Sequence, residues 1–194
     1  MKKINKGEYG YLNYQRKASC LKSLLMFSIP IIIFVVGILM KGKRENILTV
    51  VAILGMLPAS RSLVTTIMFL RFHSGKKEIY HKTQNAMQKS EDLGAVFFDS
   101  VITTEKKSYP VNVFVCCGGN LIGYTQDPKA DAKTVEKHIK DMMRNNGIKG
   151  INPKLFTDEN SYVTRLSEIL SINVEEETKE KDAEVIALVY ALSL

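Results

Sequence analysis

The sequence predicts a two-helix transmembrane hairpin followed by a cytoplasmic α+β domain. Two long apolar stretches, residues 23–40 and 47–70, are separated by a short polar turn. Each stretch is close to the roughly 20 apolar residues that a helix needs to cross a bilayer. The second half of the chain instead alternates short β-type runs with amphipathic helical patterns, which is typical of an α+β domain.

Charge is distributed unevenly along the chain. Residues 1–89 carry 15 Lys and Arg against three acidic residues, whereas residues 90–194 carry 12 against 17. The basic excess flanks the apolar stretches and fits anionic headgroups, while the acidic second half disfavours nucleic-acid binding. Eleven basic residues lie in 1–22 and 71–89, but only three lie in the turn, 41–46. Because basic residues near spanning helices are retained in the cytoplasm, we expect a multi-pass protein of the plasma (inner) membrane with both termini cytoplasmic.

These patterns divide the chain into four segments. A basic, tyrosine-containing cytoplasmic tail covers 1–22, the hairpin covers 23–71, a helical connector covers 72–91, and the cytoplasmic α+β domain covers 92–194. The tail mixes aromatic with basic side chains, a combination typical of an anchor at the membrane interface. The predicted anchor residues are Tyr9, Tyr11, Tyr14, Arg16 and Lys17.

Three residues of the second apolar stretch are candidates for contact with the membrane or a partner. Gly55 and Ala59, four residues apart, offer a strip of small residues for close packing, either within the hairpin or between two copies of it. Arg61 is a charge inside an apolar run, and neither stretch contains an acidic residue to pair with it. We expect Arg61 either to bind an anionic ligand or a partner's carboxylate, or to reach headgroup phosphates from a helix that continues into the cytoplasm.

The cytoplasmic domain is predicted to have the element order β-β-β-α-β-α-β, with helices covering a mixed sheet. A turn signal at Gly118-Gly119-Asn120 separates the second and third strands of an antiparallel meander. Amphipathic periodicity predicts helices over 130–145 and 158–170, the second capped by Asp158. The last run, 183–194, is nearly all apolar and is interpreted as a buried central strand, with a terminal helix as the alternative. The earlier extended runs are 95–103, 111–117, 121–126 and 151–156.

This element order is similar to that of the ribonuclease H-like fold, and with the connector helix it also partly resembles restriction-endonuclease-like folds. The first resemblance implies a metal-dependent hydrolase of phosphodiesters, in which Asp99, Glu136 and Asp158 hold Mg²⁺. The second implies an acidic-x-Lys pair on a middle strand, which Val111–Cys117 lacks. Because element order is a poor guide to activity and the domain is acidic, we expect neither a metal nor a cofactor.

Cys116 and Cys117 are adjacent and offer a nucleophile as a further catalytic alternative. We expect instead that both are structural residues beside a turn, since small thiols are commonly buried. The leading function is therefore a non-catalytic binding or assembly module, held at the cytoplasmic face by a hairpin in contact with anionic headgroups. A protein partner, or a homo-oligomer formed through the hairpin, is a further expectation. The alternative function is a membrane-tethered metal-dependent hydrolase or a transferase.

Overall fold

The structure is a computed structural model, and it divides into two compact units. The hairpin unit is Leu12–His73, and the α+β unit combines Met1–Tyr11 with Ser74–Leu194. Residues 42–46 of the turn predicted over 41–46, and the predicted domain start at Asp92, lie outside the described residues. The described residues are 3–41, 47–89, 94–105, 107–172 and 176–194.

Two long helices form the hairpin unit. α1 covers Tyr11–Lys41 and α2 covers Ile47–Leu70. α2 has the bounds that the apolar pattern predicts, whereas α1 begins well before its apolar stretch because residues 11–22 contain neither Gly nor Pro. Both helices continue through an internal proline, Pro30 in α1 and Pro58 in α2.

The two helices meet in one antiparallel register. The hydroxyl of Thr66 donates a hydrogen bond to the carbonyl of Ser19 at 2.9 Å. Further along, Gly55 packs on the ring of Pro30, since a Cβ added to Gly55 would lie 3.1 Å from the proline Cγ. Ser19 and Pro30 are as far apart in the sequence as Gly55 and Thr66. Both contacts therefore belong to the same antiparallel register.

The α+β unit is built on a four-stranded mixed sheet. Its strands are β1 (Ala95–Thr103), β2 (Ser108–Cys117), β3 (Asn120–Tyr124) and β4 (Lys154–Phe156), in the order β1-β2-β3-β4. The first three strands form the predicted antiparallel meander, and β4 lies parallel to β3. The turn between β2 and β3 is the pair Gly118–Gly119, with φ of 59° and 73°. Glycine adopts such positive φ values without strain, and this turn suits the twist of two paired strands.

Helices cover both faces of the sheet. α3 (Lys77–Lys89) and α5 (Glu159–Leu170) pack on one face, and α4 (Ala132–Asn145) and α6 (Glu176–Leu192) pack on the other. Val113, Val115 and Cys117 belong to the α3–α5 core, whereas Phe114 and Cys116 belong to the α4–α6 core. Successive side chains of β2 therefore enter different cores, as the pleat of a strand requires.

The start of α5 and the end of α4 lie where the sequence predicts. Asp158 is the N-cap of α5, and its carboxylate accepts a hydrogen bond from the Ser161 N–H at 2.8 Å. Gly147, with a φ of 82°, ends α4. The Ile148 N–H then donates to the Met143 carbonyl at 3.0 Å, which satisfies one of the free carbonyls at the helix end.

The prediction of a buried central strand over 183–194 is wrong, because residues 183–192 belong to α6, which covers Glu176–Leu192. Asp182, Val185, Val189 and Ser193 are all buried and lie three or four residues apart, the spacing of one helical face. The preceding charged run is helical from Glu176 onward, and 173–175 lie outside the described residues. Without the last strand, the ribonuclease H-like element order is not met. The helix before β1, which the restriction-endonuclease-like order includes, is present as α3.

Short contacts cover the open edge of β1. The Phe98 N–H donates to the Gly7 carbonyl at 2.9 Å, and the Leu194 N–H donates to the Val101 carbonyl at 3.1 Å. Lys6 donates from its Nζ to two carbonyls at the end of α6, at 2.7 and 2.6 Å. A cation is favourable at a helix C-terminus, and capped strand edges resist pairing with other chains.

Replacing Gly55 by Val tests the packing of the hairpin. The added side chain would overlap the ring of Pro30, and overpacking of this kind costs about 1–3 kcal/mol. We expect the Gly55→Val variant to unfold at lower denaturant in detergent micelles, with circular dichroism as the measurement. Leu54→Val, at a neighbouring side chain that is 59% exposed, is the matched control and should change stability little. Equal stability of the two variants would show that α1 and α2 do not pack through Gly55.

Candidate functional site

The outer surface of the hairpin unit is apolar. By length and composition, both helices are long and apolar enough to cross a membrane. Of the 18 residues in the most apolar part of each helix, only 17% in α1 and 11% in α2 are buried. An apolar helix in the core of a water-soluble protein is instead mostly covered by its neighbours. The most exposed of these side chains, at 67–78%, are Leu24, Leu39, Ile47, Leu57 and Val64.

The buried positions of the two helices are mostly small or hydroxyl-bearing residues. Of the four buried residues of α2, Ala52, Ala59 and Thr66 follow one another at seven-residue spacing, and the fourth is Phe69. Small residues let helix backbones approach closely, and in lipid such packing replaces the hydrophobic effect between helices. Gly55 and Ala59 are therefore used inside the hairpin. The buried small or polar residues of α1 are Ser19, Ser23, Pro30 and Gly37.

Arg61 lies on an exposed part of α2, beside a cavity of about 450 Å³ that both helices line. Lys22 of α1 lines the same cavity, together with the polar side chains of Gln15 and Ser62. Neither helix contains an acidic residue. In the part of the chain that the structure describes, neither Arg61 nor Lys22 forms an ion pair.

Asp99 is fully buried and holds two chain segments against β1. Its carboxylate accepts the N–H of Gly10 at 2.7 Å and the N–H of Gly75 at 3.2 Å. The hydroxyl of Tyr9 joins the same segments by donating to the Gly75 carbonyl at 2.9 Å. Asp99 has a φ of 49°, a left-handed conformation that Asp tolerates better than most residues. Its two oxygens thus have structural partners.

The other two candidate carboxylates have partners elsewhere in the α+β unit. Glu136 accepts the Leu155 N–H at 2.8 Å and so ties α4 to β4. Asp158 is exposed at the start of α5, where the hydrogen bond from the Ser161 N–H lowers its pKa. Among the described residues, no group of three or more His, Cys, Asp and Glu could hold a metal ion. The structure therefore does not bring Asp99, Glu136 and Asp158 together.

A second buried carboxylate, Asp182, fastens α6 to the turn between β2 and β3. It accepts the N–H of Gly118 at 2.8 Å and of Gly119 at 3.0 Å, and the thiol of Cys116 donates to it at 3.1 Å. Burial, reinforced by the charge of Asp182, raises the pKa of Cys116 above its usual range. A nucleophilic cysteine needs a lowered pKa, and Cys117 is also buried. The geometry gives both thiols a structural place.

The predicted interfacial tail is divided between two environments. Tyr9 belongs to the α+β unit, where its ring stacks on Tyr80 at 4.5 Å between centroids, and Tyr80 packs edge-on against Phe98 at 5.2 Å. Burial raises the pKa of Tyr9. The contact of the other tail residues with a membrane stays a prediction. Those residues, all on the first turns of α1, are Tyr11, Tyr14, Arg16 and Lys17.

An apolar groove of about 630 Å³ lies between α3 and α5. Its lining includes Ala86, Val163 and Leu170, together with the charged side chains Lys82 and Lys89. Lys82 also pairs with a carboxylate of α5. Concave, largely apolar surfaces of this kind are common binding sites for ligands and partner segments.

Several of these residues have little signal in the sequence. Gly10 and Gly75 act through backbone N–H groups, so only the presence of glycine marks them. Asp182 stands in a charged run, and only a helical interpretation of 176–192 places it on the buried face. Lys22 is a basic residue next to an apolar stretch, and its position beside Arg61 depends on the register of the hairpin.

Comparisons with models of known protein families, with curated proteins and with solved structures find no match to this chain. The resemblances to nuclease-like folds therefore rest on element order alone. What the protein does must be inferred from its own residues and their geometry.

Replacing Asp99 by Asn tests the carboxylate that holds Gly10 and Gly75. An amide has one carbonyl oxygen for two N–H donors, so one donor loses its partner, at a cost of about 1–3 kcal/mol. Asn tolerates a positive φ as well as Asp does, so the substitution adds no backbone strain. We expect a lower thermal midpoint and faster hydrogen exchange at the amides of Gly10 and Gly75.

The matched control for this change is Asp158→Asn. Asn and Asp are about equally good N-caps, so this variant should keep the stability of the wild type. Unchanged exchange at Gly10 and Gly75 in Asp99→Asn would contradict the structural role of Asp99.

The raised pKa of Cys116 predicts a loss of stability in alkali. In the unfolded chain this thiol ionises near pH 8.5, whereas in the folded protein it keeps its proton. Above that pH the unfolded state binds fewer protons, so the free energy of unfolding should fall by up to about 1.4 kcal/mol per pH unit. Cys116→Ser keeps a donor for Asp182 but does not ionise in this range, so its pH dependence should be shallower.

Urea unfolding under reducing conditions between about pH 7.5 and 10 measures this difference in slope. Cys20→Ser removes an exposed thiol and is the control, with the wild-type slope expected. If Cys116→Ser also kept that slope, the thiol would ionise alike in both states.

Proposed function

We propose that this protein is a membrane-anchored binding or assembly module without catalytic activity, whose hairpin spans the inner membrane and whose α+β unit lies at the cytoplasmic face. The observation that carries the proposal is the inverted polarity of the hairpin unit. Long apolar side chains face outward, while the contact between α1 and α2 uses Gly, Ala, Ser and Thr. In water this arrangement would leave a large apolar surface exposed, whereas in lipid it is the expected one.

The lengths of the helices support insertion as a hairpin. At about 1.5 Å per residue, the 24 residues of α2 reach roughly 36 Å, against about 30 Å of hydrocarbon in a typical bilayer. The bias of basic residues supports an orientation with both termini in the cytoplasm. The proposed function thus includes a multi-pass topology and a location at the inner membrane.

The contacts in the α+β unit support a binding role over catalysis. The carboxylates of Asp99, Glu136 and Asp182 each accept hydrogen bonds from backbone N–H groups, and the thiol of Cys116 donates a hydrogen bond to Asp182. These groups are thereby committed to holding helices and chain segments against the sheet. The groove between α3 and α5 offers a concave surface for a partner segment or a small ligand.

Extraction and labelling of native membranes test the anchor and its orientation. We expect the full chain to stay in the membrane pellet after alkaline carbonate extraction. In a Cys20→Ser background, a membrane-impermeant maleimide should label Asn46→Cys in intact cells, because position 46 lies in the predicted outer turn. Lys133→Cys, at an exposed position of α4, should be labelled only after lysis.

Each of the two measurements has an outcome that would contradict the proposal. Release of the chain by carbonate would contradict the spanning hairpin. Labelling of Lys133→Cys before lysis would reverse the proposed orientation while leaving the anchor intact.

A further inference from the structure

We propose that Lys22 and Arg61 together bind the phosphate group of an anionic phospholipid from the cytoplasmic leaflet. This inference rests on the proposed insertion of the hairpin and adds to it a defined lipid site. Its basis is the cavity of about 450 Å³ in the hairpin unit, which both cations line.

The register of the hairpin brings the two cations to nearly the same depth. Ser19 lies opposite Thr66, and Pro30 lies opposite Gly55. By the same register Arg61 lies opposite position 24, only two residues along α1 from Lys22. At about 1.5 Å per residue, the two charges are separated by roughly 3 Å along the helix axis.

The charge of this pair is uncompensated by the helices that carry it. α1 and α2 contain no acidic residue. Two cations at one depth near hydrocarbon are costly unless an anion from outside the helices approaches them. A phosphate suits the pair, since the planar guanidinium of Arg61 binds two phosphate oxygens at once and the ammonium of Lys22 adds a point charge. The Gln15 amide and the Ser62 hydroxyl line the same cavity and supply neutral hydrogen-bond donors.

The surroundings favour a phosphate that carries acyl chains over a free one. Leu25 follows Lys22 by three residues and Leu57 precedes Arg61 by four, so each lies on the same helix face as its cation. These two leucines are 58% and 67% exposed. Both lie on the side of the cations that leads toward the hairpin turn, which in the proposed orientation is the direction of the bilayer centre. A lipid with its phosphate on the cations would run its chains along them.

The depth of the site agrees with a headgroup position. From Ile47 to Ser60, α2 has fourteen residues on the turn side of Arg61, which is about 21 Å of helix. A hydrocarbon core of about 30 Å puts Arg61 within roughly 9 Å of the cytoplasmic interface when the turn is at the outer one. A long arginine side chain covers much of that distance by extending toward the headgroups.

Native mass spectrometry of the full chain in neutral detergent tests the site, with phosphatidylglycerol as the anionic lipid and phosphatidylcholine as the zwitterionic one. We expect Lys22→Gln/Arg61→Gln to lower the affinity for phosphatidylglycerol roughly tenfold, since charge-assisted hydrogen bonds are lost. The matched control is Lys129→Gln/Lys133→Gln, which removes two exposed charges outside the hairpin unit and should lower it about twofold at most.

Two further measurements keep the result interpretable. Arg61→Lys preserves the charge but not the planar fork, so an intermediate loss with an unchanged helical circular dichroism spectrum supports the site independently of the double variant. Millimolar glycerol phosphate should fail to displace the lipid, and full displacement would overturn the lipid in favour of a soluble phosphate.

The inference is also overturned if the two double variants lose affinity equally, since the attraction would then be diffuse. It fails separately from the proposed function. A chain that resists carbonate extraction but shows no preference for phosphatidylglycerol keeps its anchor and loses only this site.

Discussion

The buried carboxylate of Asp99 joins the two chain segments that make up the α+β unit. Asp99 accepts hydrogen bonds from Gly10 and Gly75, which lie two residues before the first and two residues after the last residue of the hairpin unit. The unit is therefore made of two pieces of chain with the hairpin inserted between them. Closing so long an insertion normally costs entropy. Here the antiparallel pairing of α1 and α2 already brings the two ends of the insertion close together, so Asp99 has only to join neighbouring segments.

The chain has two regions that obey opposite rules of burial. In the α+β unit, Val, Phe and Ile fill two cores while charged residues cover the surface. In the hairpin unit, alanines and hydroxyl-bearing residues lie inside, whereas most of the leucines from 21 to 70 are exposed. The same seven-residue spacing that would mark an apolar seam in water here marks Ala52, Ala59 and Thr66. The seam of this pair of helices thus differs from a water-soluble one in its composition and not in its period.

The sequence predicts most of the secondary structure because local signals are strong. The apolar run 47–70 coincides with α2, the β-branched run 95–103 coincides with β1, and Asp158 is the predicted N-cap. The failure at 183–194 has a physical reason. A run that is almost entirely apolar shows no contrast between faces, so neither period is visible until Asp182 and Ser193 are included as buried polar members of the helical face.

The candidate site is predicted less well because its geometry depends on contacts between distant segments. Arg61 is visible in the sequence as a misplaced charge, but Lys22 becomes its neighbour only through the helix register. In the same way, Asp99 is visible as an acid on a strand, whereas its partners are backbone groups of two glycines. Backbone donors carry no side-chain signature, so a carboxylate that binds them looks in sequence like one that is free to bind a metal.

Asp99 and Asp182 form the same kind of hydrogen-bonded contact at separate places in the α+β unit. Each is buried, and each accepts two N–H groups of glycines, Gly10 with Gly75 and Gly118 with Gly119. A buried carboxylate is costly unless its oxygens are fully hydrogen-bonded, and glycine lets a backbone N–H approach without a side chain in the way. Once bonded in this way, such a carboxylate fixes chain segments that have little apolar surface to pack. Asp99, an acid that resembles a catalytic residue in the sequence, therefore serves in the structure to hold chain segments together.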